Sequence, residues 1–202
     1  MTIAKIESID NVSKVAERII AIASSRGGIE ALKQVLGNLP ADFPGAVVVV
    51  QHLSSLFKSH LAAILDRVTP LQVKTATEGA MLFPGTVHVA PSDRHVILNH
   101  NGSLSLSDAA REHFVRPSAE YTFKSLADNY QHKAIAVVLT GYDGDGSEGV
   151  KIIKTLGGKV IAQDRETSVE FGMPQTAIET GCVDLVLPIH EIAYGIMSIV
   201  GS

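Results

Sequence analysis

Short β-branched runs alternate along this chain with longer segments of helical period, a pattern that predicts a mainly parallel sheet covered by helices. The strand-like runs are Arg18 to Ala23 (RIIAIA), Ala46 to Gln51 (AVVVVQ), Ala134 to Leu139 (AIAVVL), Lys159 to Ala162 (KVIA) and Val183 to Leu187 (VDLVL). Their apolar positions are mostly uninterrupted by polar alternation, which belongs to a sheet buried on both faces. Between them, Ile29, Leu32, Val35 and Leu36 recur at helical spacing before Gly37-Asn38 supplies a stop, and Leu61, Ile64, Leu65 and Val68 repeat the pattern. Tyr121, Phe123, Leu126 and Tyr130 predict a helix opened by Pro117, while Val150, Ile152, Ile153 and Leu156 predict one closed by Gly157-Gly158. A last helix is expected over residues 191–200. The stretch 71–107 differs, because its apolar runs are short and broken by Pro84-Gly85 and Pro91-Ser92. There, His95 to Leu98 and Ser103 to Leu106, joined by Asn99-His100-Asn101-Gly102, read as an antiparallel hairpin at the edge of the sheet. The polar residues 108–116 read as a site loop within a single domain.

Composition narrows the class. The 202 residues are 46% hydrophobic and 19% charged, enough to fill one sizeable core. A net charge of −4 with no lysine or arginine block argues against nucleic-acid binding and against a polybasic membrane anchor. No apolar run approaches the roughly 18 residues a membrane span needs, and Lys5, Glu7, Asp10, Lys14 and Glu17 break up any signal-peptide core. A single cysteine, Cys182, excludes an internal disulfide and a cysteine-based zinc site, so the expected location is the cytoplasm.

In an open α/β sheet, chemistry collects where strands deliver their carboxyl ends into loops. The first strand ends in Ser24-Ser25-Arg26-Gly27-Gly28, a small-residue turn into a helix that would present the Ser25 hydroxyl with backbone N–H groups beside it. This is neither G-x-S-x-G nor a nucleotide-binding glycine motif; an anion-binding turn or plain helix cap is the alternative. The second strand ends in Gln51-His52, placing an imidazole where it could accept a serine proton, or serve as a hydrogen-bonded structural histidine. The strand from Ala134 ends in Thr140-Gly141-Tyr142-Asp143-Gly144-Asp145-Gly146. Asp143 and Asp145 both qualify chemically as the carboxylate that orients an imidazole, and a solvated acidic turn is the alternative. A calcium loop fails, because with Asp143 as position one the required glycine at position six is Glu148. Serine, histidine and aspartate at three ends of one sheet carry more weight together than singly.

These residues resemble the CheB family, the protein-glutamate methylesterases of bacterial chemotaxis. The similarity runs through IAIASSRGGIEAL (20–32 in its core), VVVVQHL (47–53), PGTVHVAPSDRHVIL (84–98), RPSAEYTFKSLA (116–127), AVVLTGYDGDGSEG (136–149) and FGMPQTAIETG (171–181). It implies a doubly wound, mostly parallel α/β sheet flanked by helices, with Ser25 as nucleophile, His52 as general base and Asp145 as its partner. The implied reaction is hydrolysis of glutamate γ-methyl esters on the cytoplasmic helices of chemoreceptors, releasing methanol, and in some members deamidation of receptor glutamines. Backbone N–H groups of Arg26 and Tyr142 are the candidate oxyanion hole, and Arg116, Phe171 and Met173 the candidate substrate groove. No metal or organic cofactor is expected, nor nucleic acid or membrane insertion.

Three features depart from the family pattern. Arg26 stands where a small residue or threonine is usual, and its cation could pair with acidic residues beside a methylation site. Asp143 stands where a small residue is common. The expected organisation is an N-terminal extension over 1–17 and a methylesterase domain over 18–202, without the receiver domain many members carry; either a separate regulatory protein takes its place or the sequence is a piece of a longer chain. Two competing readings are a CheB-like interaction domain with an altered site and an esterase for another signalling protein.

Overall fold

The computed structural model describes residues 15–52, 59–112 and 114–201. The strand β1 (Ile19–Ser24) has no exposed residue, because it lies at the centre of a seven-stranded sheet between β2 (Ala46–Gln51) and β7 (Ala134–Val138). Helix α1 (Gly28–Gly37) joins β1 to β2, and α2 (Leu61–Asp66) precedes β3 (Gln72–Thr75) and β4 (Thr86–Val89). The hairpin β5 (His95–Leu98) and β6 (Leu104–Ser107) then leads to α3 (Ala119–Tyr130) and into β7. The chain continues through α4 (Ser147–Thr155), β8 (Lys159–Gln163), α5 (Gly172–Glu179), β9 (Leu185–Leu187) and α6 (Ile192–Val200).

All pairings in the large sheet are parallel, in the order β3-β4-β2-β1-β7-β8-β9. From β1 the chain builds outward on one side, then crosses back to β7 on the other. The carboxyl ends of β1 and β7 therefore flank a topological switch point, where this architecture leaves a crevice.

Each face of the sheet has its own core. On one, Ile20, Ile22, Val47, Val49, Ile135 and Val137 pack with Leu32, Val35 and Leu36 of α1, Leu61 and Leu65 of α2, and Ile192 and Ile196 of α6. On the other, Ala21, Ala23, Ala134 and Ala136 are small, so that Phe123, Leu126 and Ala127 of α3 reach close to the strands, with Val150 and Ile153 of α4 alongside. The alternation of large and small residues along β1 thus fixes which helices lie near and which are held off by bulk.

The expected architecture is present, with local differences. The predicted antiparallel hairpin forms, with His95 opposite Ser107 and Leu98 opposite Leu104, as a two-stranded ribbon of its own packed beside α3. Stretch 71–107 also supplies β3 and β4 to the parallel sheet. At the far edge, β9 is shorter than the apolar run and leaves Val186 48% exposed, since an edge strand has only one neighbour to cover it. Pro117 lies just outside α3, whose N-cap is Ser118. No described helix is long and apolar enough to cross a membrane.

Phe123 is fully buried at the α3–α4 contact, where Gly146 and Gly149 come so close that a Cβ on either would meet it within 3 Å. Phe123→Ala is expected to cost roughly 3–5 kcal/mol through lost burial and the cavity left behind. Urea unfolding measures it; a loss below about 1 kcal/mol would mean this contact collapses readily and does not set the helix position.

Candidate active site

The turn after β1 is held from both sides. Ser25 N–H donates to the Thr140 carbonyl at 3.0 Å and His52 N–H to the Ser24 carbonyl at 2.9 Å, carrying the parallel ladder past the strand ends. The buried Ser24 hydroxyl donates to Gln51 Oε1 at 2.7 Å, and Gln51 Nε2 donates to the Ser25 carbonyl at 2.7 Å. Gly27 then takes φ = 80°, a left-handed conformation that glycine adopts without strain, to start α1. Opposite, Gly141 allows backbone to approach Ser25: a Cβ there would lie 2.8 Å from the Ser25 Cβ and 2.1 Å from the Met173 sulfur. Ser25 and His52 line one cavity of about 370 Å³ together with Arg26, Gly27, Ile29, Glu30 and Gln51. No hydrogen bond joins the Ser25 hydroxyl to His52 in this conformation.

His52 Nε2 lies 2.7 Å from Asp145 Oδ2. The buried Asp145 also accepts from the Ser118 hydroxyl at 2.5 Å, from Ala119 N–H at 2.6 Å and from Glu120 N–H at 3.3 Å, so its carboxylate caps the first turn of α3. Glu120 returns the favour, accepting from Gly146, Glu148 and Gly149 N–H groups at 3.0, 3.0 and 2.6 Å and so capping α4. Each helix N-terminus is satisfied by a carboxylate from the other's entrance, where exposed N–H groups and the helix dipole favour negative charge.

The two carboxyls titrate in opposite directions. Burial works to raise Asp145, but the hydrogen bond and charge of His52 and the donors Ser118 and Ala119 outweigh it and hold Asp145 below the usual carboxylate range. Burial, with the nearby charge of Asp145, holds Glu120 above that range despite its three backbone donors.

The second ring nitrogen, His52 Nδ1, is buried, makes no hydrogen bond among the described residues, and lies 3.7 Å from Asp143 Oδ2. Asp143 itself accepts from Asp145 N–H at 3.2 Å, and so helps shape the loop. Arg26 does not project freely. Its Nη1 donates to the Tyr142 hydroxyl at 2.6 Å and its Nε lies 3.5 Å from Glu170 Oε1, although the side chain is still 61% exposed. The backbone N–H groups of Arg26 and Tyr142 have no acceptor among the described residues.

The expected groove residues are placed differently from one another. Met173 is 1% exposed and packs under Gly141, so it supports the loop and offers no surface to a substrate. Arg116 is spent on the 108–116 loop, bonding Asp93 and the carbonyls of Asp108 and Ala109. Phe171 is half-buried at the start of α5 with the Arg165 guanidinium 4.4 Å above its ring. His95 is buried, accepts from Ser118 N–H and stacks on Tyr121, a position that braces the α3 cap.

Sequence reasoning gave no role to Glu120, Gln51, Thr140 or Glu170, and took Ser118 only as part of the Arg116-Pro117-Ser118 block near the cleft. Ser118 had a readable signal, the N-cap serine before an apolar-periodic run. Glu120 had none, because its partners lie on a different helix.

A parallel α/β sheet carrying serine, histidine and aspartate at its switch point defines a protein with the side-chain set of a serine hydrolase. The family model of the CheB methylesterase matches residues 20–196, and the chain belongs to that family. It is 43% identical over 181 residues to the protein-glutamate methylesterase/protein-glutamine glutaminase of the group 3 operon of Rhizobium meliloti, covering 90% of this chain and 51% of that one. It is 41% identical over 189 residues to the protein of the same general name from Thermotoga maritima, covering 92% and 55%. The crystal structure of the Thermotoga maritima CheB methylesterase catalytic domain superposes with a TM-score of 0.87 at 41% identity, covering 90% of this chain and 98% of that one. The chain thus spans about half the length of the curated relatives it matches.

A carboxyl held low in the folded state stabilises above its ordinary range, and that contribution disappears as pH falls through the depressed value. The stability gap between the wild type and Asp145→Asn should therefore be widest near neutrality and narrow on acidification, read by urea unfolding across a pH series. A gap independent of pH would show that the ionised carboxylate is not the capping species. Ser118→Ala, which removes one charge-assisted bond and the N-cap, should cost roughly 1–3 kcal/mol in the same assay at neutral pH.

Proposed function

We propose that this chain is a protein-glutamate methylesterase that cleaves glutamate γ-methyl esters with Ser25, His52 and Asp145. The observation that carries the reading is the His52–Asp145 pair, held at 2.7 Å with Asp145 bonded into the α3 cap, while His52 lines the same cavity as Ser25. Asp145 occupies Nε2, so Nδ1 is the nitrogen left to serve the serine. This is the reverse of the chymotrypsin-type arrangement, in which the carboxylate holds Nδ1.

Nδ1 takes the Ser25 proton as the oxygen attacks the γ-carbonyl, and Asp145 stabilises the resulting imidazolium. The N–H groups of Arg26 and Tyr142 receive the charge on the carbonyl oxygen. Collapse of the tetrahedral species breaks the bond to methoxide, which leaves as methanol with the proton from His52. Water, deprotonated by the same nitrogen, then clears the acyl-enzyme and leaves a glutamate side chain. The same steps on a glutamine amide would release ammonia, the second activity in the relatives' names.

The substrates proposed are cytoplasmic helices of methyl-accepting chemoreceptors, which makes the cytoplasm the working compartment. Asp143 is assigned a lesser part, as its carboxylate is 38% exposed and does not reach hydrogen-bond distance of the ring.

Methanol release from receptor membranes bearing methylated glutamates tests the reading. Ser25→Ala should abolish release, Asp145→Asn should lower kcat by about 10³–10⁴-fold, and Asp143→Asn should stay within about tenfold of the wild type. Undiminished release by Ser25→Ala would refute the nucleophile, and loss with Asp143→Asn but not with Asp145→Asn would reverse the roles of the two carboxylates.

A further inference from the structure

Arg26 and Tyr142, whose backbone N–H groups are the proposed oxyanion donors, are also joined through their side chains. Arg26 Nη1 donates to the Tyr142 hydroxyl at 2.6 Å, and its guanidinium carbon lies 5.3 Å from the centre of the Tyr142 ring. Glu170 faces both: its carboxylate is 3.5 Å from Arg26 Nε, and its polar contact with the phenol pushes the Tyr142 hydroxyl above its ordinary range, with Arg26 partly opposing. The three residues come from three different loops, after β1, β7 and β8.

Beneath this triangle the backbone is pinned by one hydroxyl. Thr140 Oγ1 lies 2.9 Å from the Arg26 carbonyl and 3.0 Å from the Glu170 carbonyl, either of which its one proton can serve, and accepts from Glu170 N–H at 2.8 Å. Gly141 N–H donates to the Glu170 carbonyl at 2.9 Å. The buried Thr140 therefore ties the same three loops from below that Arg26, Tyr142 and Glu170 tie from above. The loop carrying Tyr142 is otherwise rich in glycine, with Gly141 and Gly144 on either side of Tyr142 and Asp143, so its backbone carries little conformational restraint of its own.

We infer that Arg26, Tyr142 and Glu170 form a side-chain strap that fixes the spacing of the two oxyanion-hole N–H groups, with Arg26 and Glu170 as positioning residues. The inference rests on the esterase reading and deepens it. It also stands in place of the expectation that Arg26 recruits acidic substrate: Arg26 is tethered to Tyr142 and Glu170 on the protein, and moving either oxyanion donor weakens the interaction made in the transition state.

A small fluorophosphonate separates these roles, because it phosphonylates an activated serine and places its P=O in the oxyanion hole without needing receptor contacts. Ser25 oxygen bonds to phosphorus, fluoride leaves, and the serine proton passes to His52. Intact-mass spectrometry follows the labelling rate. The strap predicts labelling roughly ten- to a hundredfold slower in Arg26→Ala and in Glu170→Gln. The double variant should be little slower than the slower single one, since both remove the same device, and Arg26→Lys should recover part of the rate. Receptor demethylation should lose kcat with KM unchanged. Glu170→Gln keeps the test available if Arg26→Ala does not fold. Labelling at the wild-type rate in both single variants, additive losses in the double variant, or a raised KM with kcat intact would overturn the strap, the last in favour of substrate docking by Arg26. An unlabelled wild type would instead remove the nucleophile assignment, and the strap with it.

Discussion

The exchange of carboxylates between α3 and α4 is the constraint on which the rest of the site depends. Asp145 caps α3 and Glu120 caps α4, each accepting from backbone N–H groups of the other helix's first turn that have no acceptor within their own helix. The small alanines of β1 and β7 let α3 lie close enough to the sheet for its first turn to stand over the carboxyl end of β7. Once the helices are so placed, the carboxylate that caps α3 is also the one facing His52. The direction of its titration follows from the same contacts, as donors to the ionised form outweigh its burial.

Much of this was legible in the chain. Uniform apolar runs announced the central strands, and β2 begins and ends where Ala46 to Gln51 placed it. Ser25 and His52 could be found because each is a chemically capable residue at the end of such a run, whereas the loop after β7 offered both Asp143 and Asp145 and only the family resemblance chose between them; the structure brings His52 to Asp145 and Ser25 to the cavity His52 lines. What escaped was set by partners distant in sequence. Met173 looked like groove surface but is buried, because Gly141 leaves a space that its sulfur fills. Glu120 carried no signal, because the N–H groups it accepts from belong to another helix. The meaning of Arg26 depended on Glu170, 144 positions away, and on a tyrosine in a third loop.

The surroundings of His52 are asymmetric in a way that separates two neighbouring aspartates. Asp145 is buried and bonded to four groups, so its position is determined by packing. Asp143 reaches toward the other nitrogen from a partly exposed turn. A distance of 3.7 Å with solvent access gives a Coulombic influence that water and salt attenuate, whereas the 2.7 Å contact on the buried side is directional. Chemical identity is the same for the two carboxylates; their surroundings assign the work.

The double duty of Asp145 affects how descendants of such a domain should be read. A lineage that lost catalysis would still be under selection to keep this aspartate, because two helices depend on the exchange in which it takes part. Its presence in a distant sequence is therefore weak testimony to surviving chemistry. The Ser25 hydroxyl carries no such structural debt: the turn is held through its backbone N–H and carbonyl, and the side-chain oxygen bonds to nothing among the described residues. Under the proposed mechanism drift would erase it first, so the serine would be the residue by which active and inert members of such a lineage are told apart.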